Sequence, residues 1–322
     1  VHSDCGGDYR GKVGGDLLRW ASHCTFGTIL RFHGEQHQPW SYDTDTENYV
    51  RNYLNARYKL MPSMITAGYV ATQTGFPIVA RLDFFYSEHS ESTSNEQYLH
   101  LNDTLIAPIW DSSNNMTTRN VWIPPGTWED GWSGERTTGP KSMSVTQPYS
   151  RIPMWHKVGG MVVTTDVPGL RVDEQDWSQE LVLDVYVMDS NDMKRLNDNG
   201  NNKRMKHVYN RLNGEIDQTV IVERIGSSMT TSVVTHQEKS AGKRDWVVRY
   251  HLAPNQSIKT MNIDGVSVLD ENQVHLSPLE EADGWKYFPF SGKNSQPAPM
   301  AGNIVEIRIR SGSEEVNMEL KN

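Results

Sequence analysis

Two side chains near the start of the chain have types and spacing that suit work on a polar ligand. Asp4 lies in Ser3-Asp4-Cys5-Gly6-Gly7, and His33 follows 29 positions later in Arg31-Phe32-His33-Gly34. An ionised aspartate accepts two hydroxyl donors, and a neutral imidazole donates at one nitrogen and accepts at the other. The pair could therefore move protons as acid and base, or grip the hydroxyls of a bound ligand. Each also has a plain structural alternative: Asp4 as a turn residue beside two glycines, His33 as a residue that ends a strand.

The elements that must position them follow from local pattern. Val1–Ser3 reads as the end of a strand, and five glycines between residues 6 and 15 form a flexible connection. Asp16 then suits the N-cap of a helix carrying Leu17, Leu18, Trp20, Ala21 and Cys24. Thr28–Phe32 is a second short strand, and residues 33–43 a polar and aromatic loop. Thr44-Asp45-Thr46-Glu47 fits a capping box. The helix it opens, with Tyr49, Val50, Tyr53, Leu54, Tyr58, Met61 and Ile65 on one face, should kink at Pro62 and stop at Gly75 and Pro77. Residues 1–75 thus read β–α–β–α, a parallel α/β pattern. Both Asp4 and His33 fall at strand ends, where a (β/α) barrel presents side chains to substrate.

From about residue 76 the composition changes to short β-rich runs separated by Gly, Pro, Asn and Asp. Examples are Leu105–Trp110, Asn120–Ile123, Leu181–Val187 and Trp246–Leu252. This is the pattern of antiparallel sandwiches. With a turn at Val167-Pro168-Gly169 as the divider, residues 76–166 form a proximal β-sandwich and 167–322 a distal one. The Asn-Gly-rich run from Asn197 to Asn202 is a loop; it lacks the terminal glutamate of a calcium loop, and no metal or cofactor is expected.

The formal charge is −9, with 31 basic against 40 acidic residues and no large basic cluster. Nucleic acid and anionic lipid are poor partners for such a surface. No stretch approaches the ~18 apolar residues a membrane span needs. Cys5 and Cys24 do not have metal-ligand spacing. With one at a strand end and the other at the end of the next helix, about 15 Å should separate them, which predicts two free thiols. Three glycosylation sequons, at Asn102, Asn115 and Asn255, favour a secretory route. The chain opens at Val1 without methionine or a charged-then-apolar leader.

The motifs in combination resemble glycoside hydrolase family 31, the α-glucosidase family. Ser3-Asp4-Cys5-Gly6-Gly7, Arg19-Trp20, and Phe26 to Arg31 with His33-Gly34 resemble that family's seventh and eighth barrel strands. Arg57-Tyr58-Lys59-Leu60-Met61-Pro62 looks like its eighth helix. Gln97-Tyr98-Leu99, Leu105–Pro108, Val121–Trp128, Trp132-Ser133-Gly134 and Arg151–Met154 with Gly159-Gly160 look like the sandwich that follows. The resemblance covers about residues 1–165.

It implies the last two βα units of a (β/α)8 barrel followed by two antiparallel β-sandwich domains, and retaining cleavage of an α-glycosidic bond by two carboxyls. Both carboxyls would precede Val1, so no catalytic residue is expected in this chain. By motif position, Asp4 and His33 would bind the sugar next to the scissile bond, with Arg31, Phe32 and Trp40 supporting them. The ligand implied is an α-linked oligosaccharide or glycoside. The earlier barrel strands, on a separate chain or a preceding segment, are the partner. Phe32 stands where the family has Asn, and Asp8 where it has Phe. These departures cluster at the sugar-facing end and leave the sugar open. They also motivate an alternative: a catalytically silent relative that binds carbohydrate or serves an extracellular assembly. Transglycosylation and lyase outcomes share the same intermediate.

Overall fold

A computed structural model describes residues 14–33, 37–109, 116–166, 169, 171–174, 179–195, 202–210, 216–235, 244–263, 266–269, 303–309 and 315–321. Asp4, Cys5, Asp8, Asn115 and the Asn-rich run 197–201 lie outside these.

Three helices form the first layer. Helix α1, Gly14–Thr25, buries Leu17, Leu18, Ala21 and Cys24 at the spacing of one helical face. Asp16 is not its N-cap: it sits within the first turn and pairs with Arg19, one turn on. Helix α2, Thr44–Lys59, is capped one residue earlier than the sequence pattern predicts, by Asp43, whose Oδ1 accepts from the Thr46 amide at 2.8 Å. An aspartate one residue upstream offers two acceptor oxygens to the first turn, and it displaces Thr44 from that role. Pro62 does break the helix. A new one, α3, starts at Met61 and runs to Thr74, with Gly75 closing it at φ 75° in the left-handed region. The predicted strand at residues 28–32 has a single bridge position, Phe32, and no ladder.

The helices pack Leu17, Leu18, Val50 and Tyr53 against Tyr98, Ile106 and Met154 of the first sheet and Ile152 of the segment before its strand Met154–Lys157. That sheet contains β1 (Val79–Arg81), β2 (Tyr98–His100), β3 (Thr104–Ile106), β4 (Met116–Asp130), β5 (Arg136–Pro148) and β6 (Met154–Lys157) in the order β1-β2-β3-β6-β4-β5. Pro124 and Pro125 do not end the strand begun at residue 120, as their missing amides suggest. The register shifts between Ile123 and Gly126 instead, and the strand continues through a bulge. Among the described residues these strands are linked into one six-stranded sheet. One face meets the helices, and another cluster gathers Leu82, Leu105, Val121, Trp128 and Trp155.

Two further sheets form a sandwich. One runs β15 (Asn303–Ile309), β12 (Trp246–Leu252), β8 (Leu181–Tyr186), β7 (Met161–Thr164). The other runs β14 (Val266–Leu269), β13 (Ser257–Ile263), β16 (Glu315–Lys321), β11 (Ser228–Thr235), β10 (Ile216–Ile225), β9 (Asn202–Asn210). Leu183, Val220, Val222, Trp246, Val248, Tyr250 and Val316 fill the space between them. The pair β8–β12 is parallel, so the sandwich is not wholly antiparallel. Since β7 belongs here, the sheets divide between residues 157 and 161, before the predicted boundary at 166/167.

Polar stitches join the layers. Ser63 of α3 donates to the Val163 carbonyl at 2.8 Å and accepts from the Val163 amide at 3.0 Å, which satisfies the exposed edge of β7. Between the first sheet and the sandwich, His251 meets Glu129 at 2.9 Å through Nδ1 and Asp184 at 2.8 Å through Nε2. Arg136 donates to Glu129 at 3.0 Å and to the carbonyls of Val187 and His251 at 2.9 and 2.8 Å. Tyr186 lies between the rings of His156 and His251, at 4.6 and 4.4 Å.

Candidate functional site

The segment that carries His33 leaves helix α1 through a turn at residues 25–28, and that turn is held from two sides. Arg57 of α2 reaches across to donate to three carbonyls, those of Thr25 at 3.0 Å, Gly27, and Thr28 at 2.9 Å. A guanidinium presents several donors in a rigid fork, so one side chain can satisfy carbonyls that a helix end leaves open. Burial pulls the Arg57 pKa down, with nearby tyrosines opposing the fall. From the first sheet, the Tyr98 hydroxyl donates to the His23 carbonyl at 2.7 Å, and His100 Nδ1 meets the Phe26 carbonyl at 2.8 Å. Burial holds the His100 pKa down to about 3, so the imidazole is neutral and its single N–H belongs on Nδ1, facing Phe26. Ser22 adds a relay: its hydroxyl donates to the Arg19 carbonyl at 2.8 Å and accepts from the Ile109 amide at 3.2 Å. The turn before His33 is therefore fixed by the second helix and by the sheet behind it.

Beyond the turn, side-chain alternation assigns the faces. Arg31 and His33 are exposed, while Phe32 between them is half-buried and packs against the helical core. In an extended segment successive side chains point to opposite sides, so Arg31 and His33 share a side and Phe32 turns toward the helices. Phe32 thus packs at least in part against the core beside the helices. The next loop forms a 3-10 turn at Pro39–Ser41, with Trp40 72 % exposed at its tip. Buried His37 anchors that loop through a 2.8 Å bond from Nδ1 to the Tyr42 hydroxyl. The position of Asp4 relative to His33 lies outside the described residues.

Cys24 is disulfide-bonded, and no free cysteine occurs. That overturns the expectation of two free thiols; Cys5 itself lies outside the described residues. Of the sequons, Asn255 is exposed in a turn, whereas Asn102 is half-buried at φ 66°. Among the described residues no group of three His, Cys, Asp or Glu side chains could hold a metal ion, and no helix is long and apolar enough to cross a membrane.

Comparison with known proteins agrees with this architecture. Residues 4–67 match the TIM-barrel domain of glycosyl hydrolases family 31, and residues 75–162 match the C-terminal domain of the same family. Alpha-glucosidase 2 of Bacillus thermoamyloliquefaciens is 31 % identical over 174 residues, 51 % of this chain and 22 % of its own length. Alpha-xylosidase of Saccharolobus solfataricus is 27 % identical over 150 residues, 45 % of this chain and 20 % of its own. The chain thus spans about a fifth of these relatives' length. A dextranase of Flavobacterium johnsoniae, solved with isomaltotriose, superposes with a TM-score of 0.69 at 20 % identity, covering 95 % of this chain and 37 % of the dextranase. At that identity the likeness shows the fold.

Proposed function

This chain belongs to glycosyl hydrolases family 31, and we propose that it is the C-terminal part of a retaining α-glycosidase that acts on an α-linked oligosaccharide or glycoside. In this reading α1 and the α2–α3 pair are the helices of the last two βα units of an eight-stranded barrel. The earlier strands supply the nucleophile and the acid/base. Asp4 and His33 hold hydroxyls of the sugar beside the scissile bond, and Arg31, Phe32 and Trp40 frame that site.

The observation that carries this reading is the clamp on residues 25–28. Arg57, Tyr98 and His100 together use a helix and a sheet to fix a turn whose next outward-facing side chains are Arg31 and His33. Such support is what a site needs to hold hydroxyls at fixed distances. A site built that way rejects sugars whose hydroxyls are missing or inverted, since its polar groups are left unpaired. The packing of Phe32 counts against the alternative of a silent carbohydrate-binding relative, because the most conspicuous departure from the family pattern packs at least in part against the core. The disulfide at Cys24 and the exposed sequon at Asn255 support a secretory route.

The test is turnover of p-nitrophenyl α-glycosides by the full-length protein and by its Asp4→Ala variant. Loss of a charged hydrogen-bond partner at the transition state should lower kcat/KM by about 2–4 kcal/mol equivalents. Near-wild-type kcat/KM in the variant would remove Asp4 from the site, and no release of p-nitrophenol from any α-glycoside would favour the silent relative.

A further inference from the structure

Helix α3, the first sheet and the sandwich meet around a cleft of about 510 Å3, a size typical of small-molecule sites. Apolar and charged side chains line it together. Val70 and Phe76 contribute apolar surface with Met161, Met188 and Met205, drawn from three separate segments of the chain. Thioether side chains are flexible and polarisable, so such a lining adapts to apolar groups of varied shape. Asn102, Asp103, Lys157 and Lys203 line the same cleft, and Met188 and Asp103 pack against the neighbouring Gly159 and Gly160.

The charged side chains of the lining are out of balance. Burial raises the Asp103 pKa, and the positive charges of Lys157 and Lys203 oppose the rise, so both ammonium groups lie near this one carboxylate. Lys157 is engaged: it donates to the Tyr86 hydroxyl at 3.4 Å and sits 5.9 and 5.8 Å from the Tyr86 and Trp128 ring centres. Lys203 makes no ion pair within 4 Å among the described residues. The nearby Arg204 is neutralised by Glu223 at 3.0 Å. Two ammonium groups against one carboxylate leave one positive charge in excess.

The hairpin tip between β2 and β3 adds two further signs of an incomplete site. Leu101 and Asn102 are both left-handed, at φ 53° and 66°. Asn102 Oδ1 is buried and has no hydrogen-bond partner among the described residues.

We infer that this cleft binds an amphiphilic monoanion, a carboxylate on an acyl or aryl body. The body lies against the methionines, and the head group neutralises Lys203. Water or a donor on the ligand satisfies Asn102. The inference does not depend on the glycosidase reading, because no residue of the cleft belongs to the site around His33.

The experiment is isothermal titration of the full chain with octanoate, with octanol as the neutral counterpart and Lys203→Glu as the charge-reversed variant. Lys203 is half-exposed on the edge strand β9, so reversal leaves the core untouched. An unchanged melting temperature checks that. One-to-one saturable binding of octanoate is expected, with octanol and the variant each weaker by about tenfold or more. Three results overturn the inference: no saturable binding, octanol bound as tightly as octanoate, or octanoate bound equally by the variant. Displacement of octanoate by isomaltose would also overturn it, and would assign the cleft to sugar.

Discussion

Raising the pH should loosen the joint between the first sheet and the sandwich through a single residue, His251. Its imidazole lies between Glu129 of β4 and Asp184 of β8, whose side chains are 4 % and 1 % exposed. Arg136 of β5 completes the set, and the rings of Tyr186 and His156 close the remaining side. Burial works against a charged imidazole here. The hydrogen bonds to Asp184 and Glu129, and their charges, outweigh it and lift the His251 pKa to about 9. The difference from the ordinary value of 6.5 is worth about 3 kcal/mol. Its sign is fixed by linkage. Below pH 6.5 both folded and unfolded chains hold the proton and the contribution is complete. Between 6.5 and about 9 the unfolded chain has lost the proton that the fold keeps, so stability falls as pH rises, and above 9 the contribution is gone. His156 acts in the opposite sense. Burial, aided by the His251 charge, holds it down to about 4, so acid below pH 6.5 favours the unfolded chain. Urea unfolding of the wild type and of His251→Phe at pH 6.5 and 9.5 separates these effects. The variant should lose about 3–5 kcal/mol at pH 6.5, because the buried carboxylates of Glu129 and Asp184 lose the imidazolium they share. It should also lack the wild type's alkaline decline. Equal alkaline losses in both proteins would refute the assignment of the charge to His251.

Three other outcomes follow from the same structure. Arg57→Met should cost about 3 kcal/mol in urea unfolding, since three carbonyls lose a buried donor, and Arg57→Lys should recover part of it. Cys24→Ser should lower stability by about 3 kcal/mol, the usual worth of a disulfide. Thiol titration of the unreduced wild type should find no free thiol, and any would contradict the pairing. If the protein passes through a secretory route, peptide mapping should find glycan on Asn255 and none on Asn102, whose Oδ1 is buried at the hairpin tip.

What could be read in the sequence was whatever depended on neighbours along the chain. The helical faces of α1 and α2, the break at Pro62 and the stop at Gly75 rest on contacts within a turn or two, and they stand. Errors arose where a second element decided the outcome. Proline at 124 and 125 looked like a strand end because its missing amides cannot join a ladder. The ladder to β5 absorbs them by a shift of register. Trp246–Leu252 reads as a sandwich strand from its local pattern, but the pattern does not say what its polar residues meet, and every residue of β12 is buried. Its polar face lies against other elements, where Arg249 meets Asp166 at 3.4 Å and His251 meets two carboxylates. Charges on a strand look the same in a sequence whether water or a counter-charge awaits them.

The same distinction governs the candidate site. Asp4, His33 and Trp40 were marked by residue type and motif position, and Arg57 was seen only as part of a helix motif. Its role depends on the carbonyls of residues 25–28, which lie some 30 positions earlier in the chain. Tyr98 and His100 act on the same turn from 75 and 74 positions later. Because backbone carbonyls carry no side-chain identity, no local motif could announce the bonds these three side chains make. The clamp therefore makes a stronger claim on function than any single side chain at the rim. Under the proposed sugar-binding role such anchorage is what His33 would need to meet a hydroxyl at a fixed distance.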